Sequence, residues 1–271
     1  MSEPTVRLVR AGAVAEIILA RPERGNALNA ALMDELARAF AEVDAASEIR
    51  AVLLRGDGPS FCTGLDLTAA PKDFAPILQG RGAAGRQELL TLIRRLQAQV
   101  GAPATCAKPV VAAIHGWCLG GGLDLAAAAD LRLCSADARF SLREAKVAMV
   151  ADLGSLQRLP RIIGDAATRE LALTAKDIDP QRALALGLVS QVLPDREALL
   201  EAARAEAEAI AAHSPLVTQG VKRVLNAQDG MSVQRALEQV ALWNAAFLQS
   251  DDLTEAFTAF TQRREPVYRG R

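Results

Sequence analysis

The sequence predicts an α/β fold in which strands and helices alternate through residue 194 and helices alone fill 195–271. Three observations carry this prediction. Short runs of β-branched and small apolar residues, such as PVVAAIH at 109–115, are separated by segments whose leucines recur at helical spacing. Two such runs break on glycine clusters, at 56–64 and 116–122, just before a helix begins. From Asp195 onward only the helical period persists. The chain therefore divides into a mixed core, 1–194, and a helical region, 195–271, whose apolar faces suit a lid or a subunit interface.

Taken in order, residues 5–10 and 13–19 alternate as a hairpin turning at Ala11-Gly12. The irregular loop RPERGNALN follows, with Asn29 placed to cap a helix whose inner face is Leu32, Leu36, Phe40 and Val43. RAVLLRG supplies a strand at 51–55 that runs into the loop GDGPSFCTGLDL. Residues 68–84, with Pro71 and Pro76, read as a mobile stretch suited to a flap. ELLTLIRRLQAQV is an amphipathic helix with Leu89, Ile93, Leu96 and Val100 inward.

After the central strand and the helix LDLAAAAD come helices at 165–174 and 180–186 and the short strand LVSQVL. The final helices are expected at 196–212, 215–226, 232–249 and 252–262. Ser214-Pro215 reads as a cap and first turn, and Asp252 with Glu255 as a capping box.

Composition excludes several function classes. With 271 residues, 51% hydrophobic, the chain can bury a large core, and its net charge of −1 favours neither nucleic acid nor an anionic membrane. No apolar run approaches the roughly 20 residues of a membrane span, and MSEPTVRLVR lacks a signal-peptide pattern. Cys62, Cys106, Cys118 and Cys134 form no C-x-x-C pair, which points to reduced thiols in a cytoplasmic protein. With only His115 and His213, a zinc site is not expected, and no G-x-S-x-G elbow accompanies His115 to support a Ser-His-Asp triad.

The chemistry concentrates in residues 109–160. A strand, the glycines Gly120, Gly121 and Gly122 and a helix start aim unpaired backbone N–H groups outward, with the helix dipole behind them. GWCLGG fits no dinucleotide fingerprint, and Leu123-Asp124 replaces the Lys-Ser/Thr of a phosphate loop. An aspartate there repels a phosphate, so the turn better suits an oxygen that gains charge only during reaction. The FCTGLDL loop repeats the theme with donors near Gly64 and Leu65.

Three carboxylates share the segment: Asp124 in the first helical turn, Glu144 and Asp152 in later loops. Each has a structural reading as well. Asp124 can serve the helix dipole, Glu144 can pair with Arg143 or Lys146, and Asp152 can cap the helix beginning near Ser155.

RPERGNALN, FCTGLDL, KPVVAAIHGWCLGGGLDLAAAADLRL and the terminal FTQRREPVYRG together resemble the crotonase, or enoyl-CoA hydratase/isomerase, superfamily over essentially the whole chain. The resemblance implies a spiral of ββα units as the catalytic core, a helical region that builds trimers or hexamers, and acyl-CoA thioesters as substrates rather than a separate cofactor. It assigns the backbone N–H groups of Leu65 and Gly121 to an oxyanion hole. It places Arg24, Asn26, Ala27, Cys62, Gly64 and Asp66 beside the CoA moiety, with Lys222 and Arg263 as contributions to a neighbouring subunit's CoA.

Hydratases of the family carry glutamates at the positions of Asp124 and Glu144. The set Asp124, Glu144 and Asp152, with ADLGSLQRLP, is similar instead to dienoyl-CoA isomerase, and FCTGLDL points the same way. The resemblance then makes Asp152 the base at C2 of a 3,5-dienoyl-CoA, Glu144 the acid at C6, and Asp124 their electrostatic support. A 2-enoyl-CoA hydratase, a simple enoyl-CoA isomerase or another acyl-CoA reaction of the same fold is the alternative within the family, and a non-catalytic partner or RNA-binding member the alternative outside catalysis.

Overall fold

A computed structural model describes residues 3–70 and 82–271. Its strands are β1 (Val6–Ala11), β2 (Val14–Leu19), β3 (Ala51–Gly56), β4 (Val110–Ile114), β5 (Trp117–Leu119), β6 (Leu131–Ser135), β7 (Arg139–Ser141) and β8 (Gln191–Leu193). Among the described residues the main sheet runs β1-β2-β3-β4-β6-β8, and β5 pairs separately with β7. The β1–β2 hairpin is antiparallel, from Val6 opposite Leu19 to Ala11 opposite Val14, and the remaining ladders are parallel.

Alternation along the strands sends side chains to two cores. Val52, Leu54, Ala112 and Ile114 enter the larger one, while Ala51, Leu53, Val111 and Ala113 enter a second on the opposite face. The first helix, α1 (Ala30–Ala45), covers the larger core with Leu32, Leu36, Phe40 and Val43, and the Asn29 side chain caps it by accepting from the Leu32 amide. After it come α2 (Gly82–Val100), α3 (Ala102–Thr105), α4 (Gly121–Ala127), α5 (Ser155–Ile162), α6 (Asp165–Thr174), α7 (Pro180–Ala185), α8 (Arg196–Ala212), α9 (Pro215–Ala227), α10 (Val233–Phe247) and α11 (Asp251–Gln262).

The opposite core is closed by α8, whose Leu199, Ala203, Ala207 and Ala211 lie on the sheet. Small side chains at this spacing let a helix approach a sheet closely. The expected division at 194/195 thus falls between β8 and a helix that packs against the strands. Beyond it, α10 buries none of its residues.

Several local expectations need correction. In α2 the buried positions are Gly85, Leu92, Gln99 and Val100, with Leu89, Ile93 and Leu96 only half-buried, so the inner face is rotated from the one predicted. Ser250, not Asp252, caps α11 by accepting from the Leu253 amide. The buried Asp252 carboxylate accepts instead from the Ser214 hydroxyl at 2.6 Å and from the amides of Arg269 and Gly270 at 2.7 and 2.9 Å. Glu255 pairs with Arg264 rather than closing a capping box. The residue before α5 is Gly154, so Asp152 is not its cap. Of the stretch 68–84 read as mobile, residues 82–84 open α2, and 71–81 lie outside the described residues.

Candidate active site

Two glycine turns meet at the end of β5. The chain after β3 runs beside β5: the Phe61 amide donates to His115 O at 2.8 Å, Cys62 to Trp117 O at 3.0 Å, and Leu119 back to Cys62 O at 3.0 Å. This zipper leaves no room for side chains. A Cβ on Gly64 would lie 2.7 Å from Leu119 O and 3.4 Å from Gly121 N, and one on Gly122 only 2.4 Å from Cys62 O.

A second ladder fixes the direction of one donor. Leu28 donates to Gly64 O at 2.7 Å and Leu28 O accepts from the Asp66 amide at 2.9 Å. In such a parallel bridge the intervening Leu65 amide must face away from Leu28. Gly121 opens α4, so its amide has no intrahelical acceptor. Among the described residues neither amide has an intramolecular acceptor. The Leu28 side chain touches the second donor's residue as well, because a Cβ on Gly121 would sit 2.8 Å from Leu28 Cδ1.

The carboxylates gather around this point. Asp124, in the first turn of α4, is 1% exposed, and its Oδ1 accepts from the Ser155 amide and from Ser155 Oγ at 2.6 Å. Burial raises its carboxyl above the ordinary range and Asp152 adds to this, while Ser155 and Arg158 oppose it.

Glu144 opens a single turn of 3-10 helix, Glu144–Val147. Its Oε1 occupies the space a side chain on Gly120 would need, 2.8 Å from a Cβ there, and its Oε2 is buried without a hydrogen-bond partner among the described residues. Burial, with Asp124 and Asp152 as like charges, pushes the Glu144 carboxyl up to about 7. The pairing with Arg143 does not form. Arg143 binds Asp177 at 2.8 Å and lies over the Trp117 ring at 5.5 Å.

Asp152 is the exposed member, and partial burial pushes its carboxyl above the ordinary value as well. Its backbone is held from α2, where Gln97 Nε2 donates to Asp152 O at 2.7 Å. Ser155, three residues later, grips Asp124, so one short segment ties two of the three acids together.

The residues expected beside CoA are placed less uniformly. Arg24 is exposed on the turn Pro22–Arg24. Asn26 is fully buried, its Oδ1 accepting from the Arg21 amide at 2.8 Å and its Nδ2 donating to Asp57 O and Ser60 O at 2.8 and 2.7 Å. Ala27 is buried beside it. The Cys62 side chain is enclosed, and burial pushes its thiol up to about 12.

Asp66 is bound to Arg21. Although burial opposes ionisation, hydrogen bonds from Thr68, Arg21 and the Ala69 amide hold its carboxyl down at about 2. The side chains of Asn26, Cys62 and Asp66 are therefore turned into the protein and leave only their backbones for a ligand. Lys222 is corrected outright: its buried ammonium donates to Pro103 O, Lys108 O and Asp130 Oδ2 within its own chain. Arg263 sits at the left-handed end of α11.

His115 Nε2 lies 2.9 Å from Gly58 O in a buried site, and among the described residues no serine or aspartate side chain is hydrogen-bonded to its ring. No cluster suited to a metal ion occurs among the described residues, and none of their helices is long and apolar enough to cross a membrane. Sequence reasoning missed Ser155, Gln97, Gly120 as the seat of Glu144, and Arg21. A Gly-Ser pair just after Asp152 was the one available signal for Ser155.

The family model for enoyl-CoA hydratase/isomerase matches residues 10–271. The chain belongs to the enoyl-CoA hydratase/isomerase family. Within the family it is 43% identical over 260 residues to a mitochondrial Delta(3,5)-Delta(2,4)-dienoyl-CoA isomerase of Dictyostelium discoideum, covering 94% of this chain and 87% of that one. A peroxisomal protein of the same name from Arabidopsis thaliana is 41% identical, with 98% of each chain covered. The crystal structure of an enoyl-CoA hydratase from Bacillus anthracis superposes on this family member with a TM-score of 0.88 at 29% identity, covering 98% of this chain and 100% of that one. The crotonase fold expected from the sequence is thus the fold of the chain.

Proposed function

We propose that this crotonase converts a 3,5-dienoyl-CoA to the 2,4-dienoyl-CoA. The observation that carries the reading is a Glu144 seated against Gly120 and poised near neutrality, with the charge of an exposed Asp152 acting on it. Relatives named dienoyl-CoA isomerase at 40–43% identity support it.

In this reading the thioester oxygen sits between the amides of Leu65 and Gly121. Asp152 takes the proton from C2, and the electron pair moves into the carbonyl to form an extended dienolate. The two amides and the α4 dipole stabilise the oxygen's new charge, which is absent from the ground state. Glu144 then delivers a proton to C6. The C2–H bond is broken, a C6–H bond is made, and the double bonds move from 3,4 and 5,6 to 2,3 and 4,5. Solvent exchange afterwards restores Asp152 as base and Glu144 as acid.

A bound acyl chain expels water from around Glu144 and favours its neutral, proton-donating form further. Asp124, held by Ser155, acts on Glu144 through its charge. The thioester carbonyl is itself the electron sink, so the reaction requires no separate cofactor. Arg24 and the backbones of Asn26, Ala27, Cys62, Gly64 and Asp66 form the side of the cleft assigned to CoA.

The helical region is assigned to assembly as a trimer or hexamer. Val217, Val221, Leu237, Leu242, Phe257 and Phe260 are each more than half exposed, and a cavity of about 390 Å³ opens among α9, α10 and α11. Partner subunits would cover this apolar surface, and sedimentation at micromolar protein tests that directly. The unpaired cysteines favour the cytoplasm, whereas the relatives' names place those proteins in mitochondria and peroxisomes. The isomerised product belongs to a step in fatty acid degradation.

The test is incubation with a 3,5-dienoyl-CoA and, separately, with a 2-enoyl-CoA. The isomerase reading expects growth of the conjugated diene's ultraviolet absorbance and slow or no hydration. Rapid hydration without the dienoyl shift would establish the hydratase instead.

A further inference from the structure

The Leu65 amide lies on a loop, and the hydrogen bonds to Leu28 on either side of it set its direction. Those bonds have a support that belongs to neither glycine turn. Arg21, just after β2, sends one guanidinium nitrogen to Ala27 O and the other to Asp66 Oδ2 at 3.0 Å. Ala27 and Asp66 immediately flank the bridge, since Leu28 binds Gly64 O on one side and the Asp66 amide on the other.

The other oxygen of Asp66 accepts from the Thr68 amide at 3.1 Å, Thr68 Oγ1 at 2.6 Å and the Ala69 amide at 3.1 Å, which anchors the chain beyond Leu65. The pair is shielded, with side-chain exposures of 12% for Arg21 and 6% for Asp66. Surface ion pairs of long side chains hold little geometry, but a shielded, forked guanidinium fixes both partners at once. Asn26 secures the start of the same loop by accepting from the Arg21 amide at 2.8 Å.

We propose that Arg21, through its ion pair with Asp66, is a positioning residue that aims the Leu65 amide at the reacting thioester oxygen. The inference rests on the oxyanion role assigned to Leu65 above. Arg21 touches no substrate in this account. It acts by keeping Ala27 and Asp66 at a fixed separation, which fixes the Leu28–Leu65 register and, through the Leu28 side chain, the seat of Gly121.

The effect should be felt in the transition state more than in binding, because the donor's task grows as charge collects on oxygen. A lysine in place of Arg21 keeps the charge yet has one nitrogen, which cannot hold both Ala27 O and Asp66 in the forked geometry. A mis-aimed donor approaches the loss caused by a missing one, so Arg21→Lys should lower kcat by about 10–100-fold. KM should stay within about threefold of its original value.

The test uses the full-length protein and 2,4-hexadienoyl-CoA as a bound probe. Polarisation of its carbonyl by the two amides moves the dienoyl absorbance to longer wavelength. The expected result is that Arg21→Lys and Asp66→Asn each diminish that shift together with kcat, while the dissociation constant of the probe changes little. A variant that is less heat-stable but retains the full spectral shift and kcat would reduce the ion pair to a fold-stabilising contact and overturn the proposal. Should the original protein show the shift but fail to turn over a 3,5-dienoyl-CoA, the isomerase reading fails while the clamp is still tested by the spectra. Should it show no shift at all, Leu65 is not a donor and the clamp proposal falls with it.

Discussion

Replacing Glu144 by glutamine should stabilise the protein in neutral and alkaline solution and leave its stability in acid nearly unchanged. The carboxyl is pushed from its ordinary value of 4.5 up to about 7, first by burial and then by Asp124 and Asp152. A carboxyl raised on folding contributes its full stability below the unfolded value and loses it as pH climbs to the folded one. The loss therefore falls between about pH 4.5 and 7. At 1.36 kcal/mol per pH unit that interval corresponds to about 3 kcal/mol. Glu144 retains some contact with water, and solvent screening reduces the expressed cost to about 1–2 kcal/mol.

Glutamine has the same shape and no charge to lose, so the cost disappears at all pH values. Urea unfolding of both proteins at pH 4.5, 6 and 8 measures it. The gain of Glu144→Gln over the original should be near zero at the lowest pH and reach its maximum at pH 8. A gain that does not vary with pH, or a loss at pH 8, would show that Glu144 ionises as an ordinary surface acid. The account of its proton-bearing role would then be wrong.

Further outcomes follow from the same site. Asp152→Asn should lower kcat by about 10²–10⁴, the usual contribution of a positioned base, with 2,4-hexadienoyl-CoA still bound in a fluorescence titration. Asp124→Asn keeps an oxygen for Ser155 and removes a like charge, so the alkaline fall of kcat/KM should move to lower pH in a pH–rate profile. Gly122→Ala places a methyl group 2.4 Å from Cys62 O and forces the two turns apart. It should cost about 1–3 kcal/mol in urea unfolding, and kcat should fall by up to about 10³ as a donor is misplaced.

Where neighbours along the chain decide the outcome, the sequence was readable. The Asn29 cap and the Leu32, Leu36, Phe40, Val43 face of α1 lie within one helix, and the structure has both as expected. The glycines at 64 and 120–122 announced a place where backbones approach, and Gly64 and Gly121 do meet. Partners distant in sequence were not readable. Asp252 has the look of a cap, yet the chain end folds back and offers it two amides at 269 and 270, a stronger claim on its oxygens.

The resemblance offered Lys222 to a neighbouring subunit's CoA, but its ammonium is taken by acceptors about 100 residues away in its own chain. Arg21 and Asp66 are likewise separated by 45 residues. The face of α2 was misjudged because its leucines outnumber the positions that meet the core. Gly85 and Gln99 take two of those positions instead.

The central claim is that one proton leaves C2 to Asp152 and a different one reaches C6 from Glu144. Conversion of a 3,5-dienoyl-CoA in deuterium oxide, with the product read by proton NMR, tests it most directly. Two separate acids in exchange with solvent predict deuterium at C6 of the 2,4-dienoyl-CoA. Transfer of the substrate's own C2 hydrogen to C6, or a product hydrated at C3, would contradict it.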